Sequence, residues 1–388
     1  MVPISYNLRN LMVRKTTTAA ASGGLALVVF VLASVLMLGE GIQRTLGRSG
    51  SDDVAVVIRK GSEAELSSGI EDASAGIMEA MAEVRRTPDG RADAVREVVM
   101  VILLDKLGTE GVSNVTVRGT PGSVLEFRKT AKIVEGRAAQ SGTEEVVVGK
   151  SIAGRFKGLA IGQSFELKKN RPAKVVGIFE DEGSSYESEV WADLDTVRAA
   201  FGREGSISSM RVRLAAADKF DAFKAGVESN RQLGFDVMRE TDYYAKQSEG
   251  TSMFVTALGV VIAFFFSVGA MIGATITMYG SIANRSREIG TLRALGFSRG
   301  AILLSFLIES LLLALLGGVV GVVAALPMSF VKFSTMNFAS WSEIVFTFEP
   351  TPGILLTSIV VASIMGVAGG FLPAVRAARV SPIQAIRG

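Results

Sequence analysis

Four long apolar stretches constrain this 388-residue chain more than any other feature. They run over about Ala19–Leu38, Met253–Met278, Ala301–Val331 and Ile354–Ala374. A helix needs about 20 mostly apolar residues to cross roughly 30 Å of hydrocarbon, and every stretch is long enough. Each is apolar on all faces rather than along one stripe, as burial in lipid requires. The sequence therefore predicts a membrane protein with four transmembrane helices. Its composition, 48% hydrophobic and only 20% charged, agrees.

Basic residues in the short flanks set the direction, because lysine and arginine resist translocation. Arg9, Arg14 and Lys15 precede the first stretch; Arg285, Arg287, Arg293 and Arg299 follow the second; Arg376, Arg379 and Arg387 follow the fourth. Lys332 stands against Glu343 and Glu349 in the remaining connection. This predicts a multi-pass membrane protein with both termini cytoplasmic. It has a cytoplasmic amphipathic segment at 1–18, a cytoplasmic loop at 279–300, a short extracytoplasmic loop at 332–353 and a cytoplasmic tail at 375–388. The first stretch is longer than the 7–15 apolar residues of a signal peptide and no A-x-A site follows it, so it reads as a retained helix.

Residues 39–252 have the composition of a soluble domain. Short β-rich runs recur at Val54–Ile58, Val98–Leu104, Asn114–Gly119, Glu145–Gly149, Gln163–Lys168, Ala173–Phe179 and Met210–Leu214. Helical patterns fall at Ser62–Ile70, Glu79–Val84, Asp193–Ala200 and Ala217–Ser229. The expectation is an α+β extracytoplasmic domain of one or two lobes between helices 1 and 2.

The chain has 0 histidines and 0 cysteines. That removes disulfides, imidazole and thiolate metal sites, cysteine nucleophiles and a Ser-His-Asp relay, while leaving carboxylate and lysine chemistry open. A formal charge of +3, with no basic tract interleaved with aromatics, gives no nucleic-acid signature. The segment "VGKS" at Val148–Ser151 resembles the end of a phosphate-binding loop. The full spacing requires glycine where Glu144 stands, so the match fails and a strand leading into a helix near Ser151 is expected. Glu180, Asp181, Glu182, Glu187 and Glu189 lie in a Gly/Ser-rich turn without EF-hand spacing and read as a solvated loop. Tyr186 and Trp191 beside them are weak candidates for partner contact.

Between the second and third stretches lies "SREIGTLRALGFSRG", residues 286–300. Ile289, Leu292 and Leu295 recur at spacing three, and Arg287, Glu288, Arg293 and Arg299 decorate other faces. The pattern predicts a short surface helix, with Gly296 as a left-handed C-terminal cap and Ser298 as the N-cap of the next span. An apolar row tied closely between two spans suits insertion into a partner's groove, with Glu288 and Arg293 at its rim.

These residues, Arg287 through Gly296, resemble the recurring "R-E-I-G-x-L-R-A-L-G" of MacB/FtsX-like permeases of type VII ABC transporters. Further likeness lies in "NLRNLMVRKTTTAAASGGLAL", "FLIESLLLALLGGVVG" and "LPAVRAARVSPIQAIRG". The large insertion looks like that of the split, DevC-type permeases. The resemblance implies a MacB-type periplasmic core domain and a dimer, with a second identical or related copy. It also implies a coupling helix at Arg287, Glu288, Ile289, Leu292, Arg293, Leu295 and Gly296 that docks an ABC ATPase. In the split members that ATPase is a separate chain and binds the ATP and Mg, so no cofactor, metal or catalytic residue is expected here. The exporter branch further implies a periplasmic adaptor and an outer-membrane protein.

Within the spans, Glu309 is an outstanding charge, costing about 2.5–3.5 kcal/mol at mid-bilayer on insertion scales. It can be a proton or substrate site, or a structural group bonded to a neighbouring helix; the structural role is the expectation. Gly317 and Gly321, like Gly269 and Gly273, form G-x-x-x-G pairs that allow close helix approach within the chain or between copies. Three functions compete: an exporter subunit transmitting ATP-driven motion to its external domain, an FtsX-like regulator that activates an extracytoplasmic hydrolase, and a carboxylate-based membrane enzyme. The size of the insertion favours the first, and the absence of a coherent acid pair disfavours the last.

Overall fold

The structure, a computed structural model, describes residues 9, 11–230, 232–337 and 340–380. Arg387 and much of the basic C-terminal segment lie outside the described residues, as does most of the N-terminal flank before Leu11. The chain divides into two compact units. One holds the chain up to Glu40, Met253–Val331 and Phe348 onward; the other holds Gly41–Ser252 and Lys332–Thr347.

Helix α1 spans Lys15–Gly47. The inserted domain then runs through β1 (Val54–Arg59), β2 (Ile70–Glu71), α2 (Asp72–Glu79), β3 (Ala94–Asp105), β4 (Val112–Thr120), α3 (Val124–Phe127) and β5 (Lys132–Gly136). It continues with β6 (Glu145–Gly149), β7 (Ser164–Lys168), β8 (Arg171–Glu180), β9 (Glu189–Asp193), α4 (Leu194–Phe201), β10 (Ser206–Ile207), β11 (Ser209–Arg213), α5 (Phe220–Ser229) and β12 (Phe235–Arg239). Helices α6 (Glu240–Asn284), α7 (Ser286–Ala294) and α8 (Arg299–Ala325), strands β13 (Lys332–Asn337) and β14 (Ser342–Thr347), and helix α9 (Pro352–Ala378) complete it. Helices α1, α6, α8 and α9 are long and apolar enough to cross a membrane.

In the inserted domain ten strands form one mixed sheet in the order β12-β1-β11-β3-β4-β9-β6-β8-β5, with β7 on β8. Strand β3 joins its halves: Ala94–Glu97 pair with β11 and Val98–Asp105 with β4. The alternation of valines along these strands supplies the core, with Val57, Val98, Val117, Val148, Val190 and Val212 all buried. Helix α5 turns Phe220, Phe223 and Val227 inward, and Asp193 caps α4 by accepting from the Thr196 N–H at 3.1 Å.

Several local readings differ from the observed chain. Ser62–Ile70 contains only a 3-10 turn at Glu65–Ser67, because the Ser68 hydroxyl accepts from the Arg59 N–H at 2.9 Å and competes with helical bonding. The helix expected at Glu79–Val84 ends at Glu79, and Arg96 forks onto that carboxylate at 2.8 Å. After β6 the "VGKS" segment enters turns rather than a helix. The acidic stretch is no solvated loop: Asp181, Glu187 and Glu189 are buried, and Glu187 accepts from the Asp181 and Gly183 N–H groups at 2.9 and 2.7 Å. Tyr186 and Trp191 are core residues, and Trp191 stacks on Phe179 at 4.1 Å in strand β9. Residues 332–337 and 342–347, read as part of a plain loop, form the paired strands β13 and β14 of the inserted domain, where Lys106 Nζ meets Glu343 at 2.6 Å and the Val345 N–H donates to Ser188 Oγ at 3.0 Å.

A cluster of buried charges also lies in this domain. Arg211, fully buried, bonds Glu65 at 2.7 Å, Glu240 at 2.9 Å and also Glu97; Arg118 bonds Glu189 at 2.6 Å, Glu97 at 2.9 Å and Glu65 at 3.0 Å. Arg128 reaches Glu240 at 2.6 Å and the Tyr186 hydroxyl. Burial alone would push the Glu65 carboxyl up, but Arg118 and Arg211 outweigh it and hold the group well below the usual carboxylate range. Burial raises the Tyr244 phenol to about 12, so it stays neutral.

Candidate coupling site

The segment between α6 and α8 folds as its residues dictate. Helix α6 ends at Asn284, and Arg285 leaves helical geometry with φ −111 and ψ 13. Helix α7 stops where Gly296 takes φ 96, a conformation that favours glycine. The Gly296 N–H donates to Arg293 O at 3.2 Å and the Phe297 N–H to Leu292 O at 3.2 Å, closing a Schellman turn. The Ser298 hydroxyl then accepts from the Ala301 N–H at 3.2 Å and starts α8. Both caps fall where the sequence places them.

The side chains sort differently from the sequence expectation. Ile289 is only 2% exposed and packs with Met278, Ile282, Ile302, Phe306, Ala374 and Ala377. Leu292 is partly buried against the same cluster. The two therefore face the chain's own helices rather than a partner's groove, because the row at 289 and 292 continues the apolar faces of α6 and α8. Leu295 is 73% exposed, and Arg287, Glu288, Thr291, Ala294 and Gly296 are exposed as well. Arg287, Thr291, Ala294 and Leu295 follow helical spacing and form the outward face. Arg293 is half-buried and donates to the Phe297 carbonyl in the connection just past the Gly296 cap, at 3.0 Å, instead of standing at a rim.

Glu309 on α8 is buried, and Arg285 Nη1 donates to its two oxygens at 3.0 and 3.3 Å. Arg285 is 2% exposed, its Nε reaches Glu288 at 3.2 Å, and its guanidinium lies 5.3 Å from the Phe306 ring centre. Sequence reasoning counted Arg285 only as a flanking charge; the acid 24 residues away was the missing half of the signal. A Cβ on Gly317 would lie 2.6 Å from Ser22 O, and one on Gly321 2.5 Å from Ala26 O, so this pair packs against α1. Gly269 and Gly273 meet nothing within 4 Å.

No group of acids that could hold a metal ion occurs among the described residues. Nor does the "VGKS" segment cradle a phosphate: a Cβ on Gly149 would strike the Glu187 backbone, Lys150 Nζ is held by Glu180 at 2.6 Å, and Ser151 donates to Glu187 at 3.1 Å.

Four apolar helices with a mixed-sheet domain inserted after the first define a four-span permease carrying a large extracytoplasmic domain. Residues 18–230 match the MacB-like periplasmic core domain and residues 260–382 the FtsX-like permease C-terminal region; the chain belongs to the MacB/FtsX-like permeases of type VII ABC transporters. It is 29% identical to the macrolide export ATP-binding/permease protein MacB 1/2 of Paracoccus denitrificans over 59% of this chain and 34% of that one. It is 28% identical to the ABC transporter permease YknZ of Bacillus subtilis over 56% of this chain and 54% of that one. The chain thus spans about a third of the first relative and about half of the second. Among solved structures, the periplasmic region of MacB from Actinobacillus actinomycetemcomitans superposes with a TM-score of 0.38 at 12% identity, covering 50% of this chain and 92% of that one.

Proposed function

We propose that this permease is the transmembrane subunit of an export machine, driven by an ABC ATPase on a separate chain that docks on α7. The observation that carries the reading is the division of α7 into two faces. Ile289 and Leu292 fasten it to the membrane helices, while Leu295 and its exposed neighbours are presented outward. A helix held this way carries a displacement into the spans it joins, and its apolar tip gives a partner groove something to bind. ATP and Mg belong to the partner. Both termini and α7 then lie on the cytoplasmic side of the inner membrane, as the arginine distribution supports. A second copy of the permease completes the complex, and the extracytoplasmic domain passes cargo or motion to a periplasmic adaptor and an outer-membrane protein.

The test is Leu295→Asp in the full chain. The variant inserts and folds as the parent does, because Leu295 packs on little within the chain, but the ABC ATPase no longer co-purifies with it. Undiminished co-purification sinks the docking role. A complex that assembles normally but moves no compound, and instead stimulates an extracytoplasmic hydrolase, would replace export with the regulator reading.

A further inference from the structure

We infer that Arg285 is a positioning residue whose buried bond to Glu309 locks α7 to α8, so that a push on α7 moves the membrane helix instead of being absorbed at the break after α6. The inference rests on the reading of α7 as the docking element. It concerns how the push is carried onward, which docking by itself leaves open.

The break is real: α6 and α7 are separate helices, and the residue between them has left helical geometry. Such a junction bends under load unless something spans it. The side chain at this junction is a buried arginine, and its one guanidinium engages Glu309 on α8 through both oxygens, Glu288 on α7 at 3.2 Å, and the face of Phe306 on α8. Helices α7 and α8 are therefore referred to one planar group carried directly after the end of α6. With Nη1 on Glu309 and Nε on Glu288, two edges of the plane are held at once, which fixes direction as well as distance in a way a lysine ammonium does not. Buried ion pairs add little net stability compared with apolar groups of the same volume. Apolar neighbours are plentiful here, with Met278, Ile282, Ile302 and Phe306 already packed around Ile289. A charged pair among them thus calls for a positional reason, and holding a junction at one angle supplies it.

The chain has 0 cysteines, so two spin labels can be placed without first removing a native cysteine. The full chain, bound to the ABC ATPase that co-purifies with it and reconstituted in lipid nanodiscs, is labelled at Ser286→Cys on α7, away from the outward face, and Leu304→Cys on α8, with or without ATP. In the parent the label-to-label distance is the same in both conditions, because the helices move together. In Arg285→Ala, and in the milder Glu309→Gln should the first fail to fold, ATP at least doubles the width of the distribution or shifts its mean. Arg285→Glu combined with Glu309→Arg restores the narrow, ATP-independent distance, and Arg285→Lys restores it only in part. A distribution in Glu309→Gln that matches the parent with and without ATP overturns the lock. So does one broadened equally in both conditions, which is the mark of simple packing. If the parent chain captures no ABC ATPase, the docking reading itself has failed and the lock falls with it.

Discussion

Both ends of helix α6 carry a buried charge, and the two are held in different ways. Glu240, its first residue, accepts from Arg128 at 2.6 Å and Arg211 at 2.9 Å, and those arginines belong to a cluster with Arg118, Glu65, Glu97 and Glu189. Arg285, just past its last residue, has Glu309 as its one buried acid among the described contacts, with Glu288 at the exposed edge. The first arrangement is redundant, since each acid in it has more than one partner among cations, hydroxyls and, for Glu189, the Trp191 indole N–H at 3.0 Å. The second turns one guanidinium to Glu309 by Nη1 and to Glu288 by Nε. Redundancy suits a domain whose strands must keep one register, and a guanidinium held by two neighbours suits a joint that must keep one angle.

Arg211→Met removes the hub and leaves Glu65 and Glu97 buried with fewer partners, which costs about 3–5 kcal/mol. Thermal unfolding of the full chain reads this as a large fall in Tm, and an unchanged Tm would show the cluster to be ornamental. Glu309→Gln keeps the shape of the smaller site and an acceptor for Arg285, and should cost about 1–3 kcal/mol. A loss larger than that of Arg211→Met reverses the ranking of the two ends.

Acid sharpens the contrast further. Glu65 is held below the usual carboxylate range, so its contribution to stability is fully present above the ordinary glutamate pKa of about 4.3 and is lost as pH falls toward the folded value. The parent therefore loses Tm as pH drops below about 4.3, and Glu65→Gln loses it less steeply. Equal slopes in the two proteins would remove Glu65 from the account. The smallest effect belongs to Gly269→Ala: nothing lies within 4 Å of the added methyl, so Tm stays within about 0.5 kcal/mol equivalent. A large change there would mean that another surface covers this face of α6.

Much of the architecture was legible because it depends on neighbours in sequence. Apolar length marks the four long helices, valine alternation marks β1, β4, β6 and β8, and Gly296 and Ser298 mark the ends of α7 and the start of α8. What the sequence hid depends on residues far apart. Strands β5, β9 and β12 are short and take their place from partners across the sheet, and β9 was concealed by the acids around it. Glu189 looked solvated because its cation, Arg118, lies 71 residues away along the chain, and Glu187 because it is held by backbone N–H groups that a side-chain pattern does not show. Ile289 and Leu295 belong to one series at spacing three, yet one is buried and the other exposed. The turn at Gly296 ends the helix, and the α8 face that covers Ile289 does not extend over Leu295.

The β13–β14 pair carries a consequence for biosynthesis. It belongs to the unit formed by Gly41–Ser252, yet it is made only after α6, α7 and α8 have left the ribosome, about 80 residues later. At 5–20 residues per second the domain waits roughly 4–16 s for its last two strands. Until then Lys106 and Arg155 lack Glu343, and Asn114 lacks the Trp341 carbonyl it bonds at 2.6 Å. Completion of the domain is therefore timed by synthesis of the third apolar helix, so a nascent chain stalled before Lys332 should expose the β4 side of its sheet to protease while the finished chain does not.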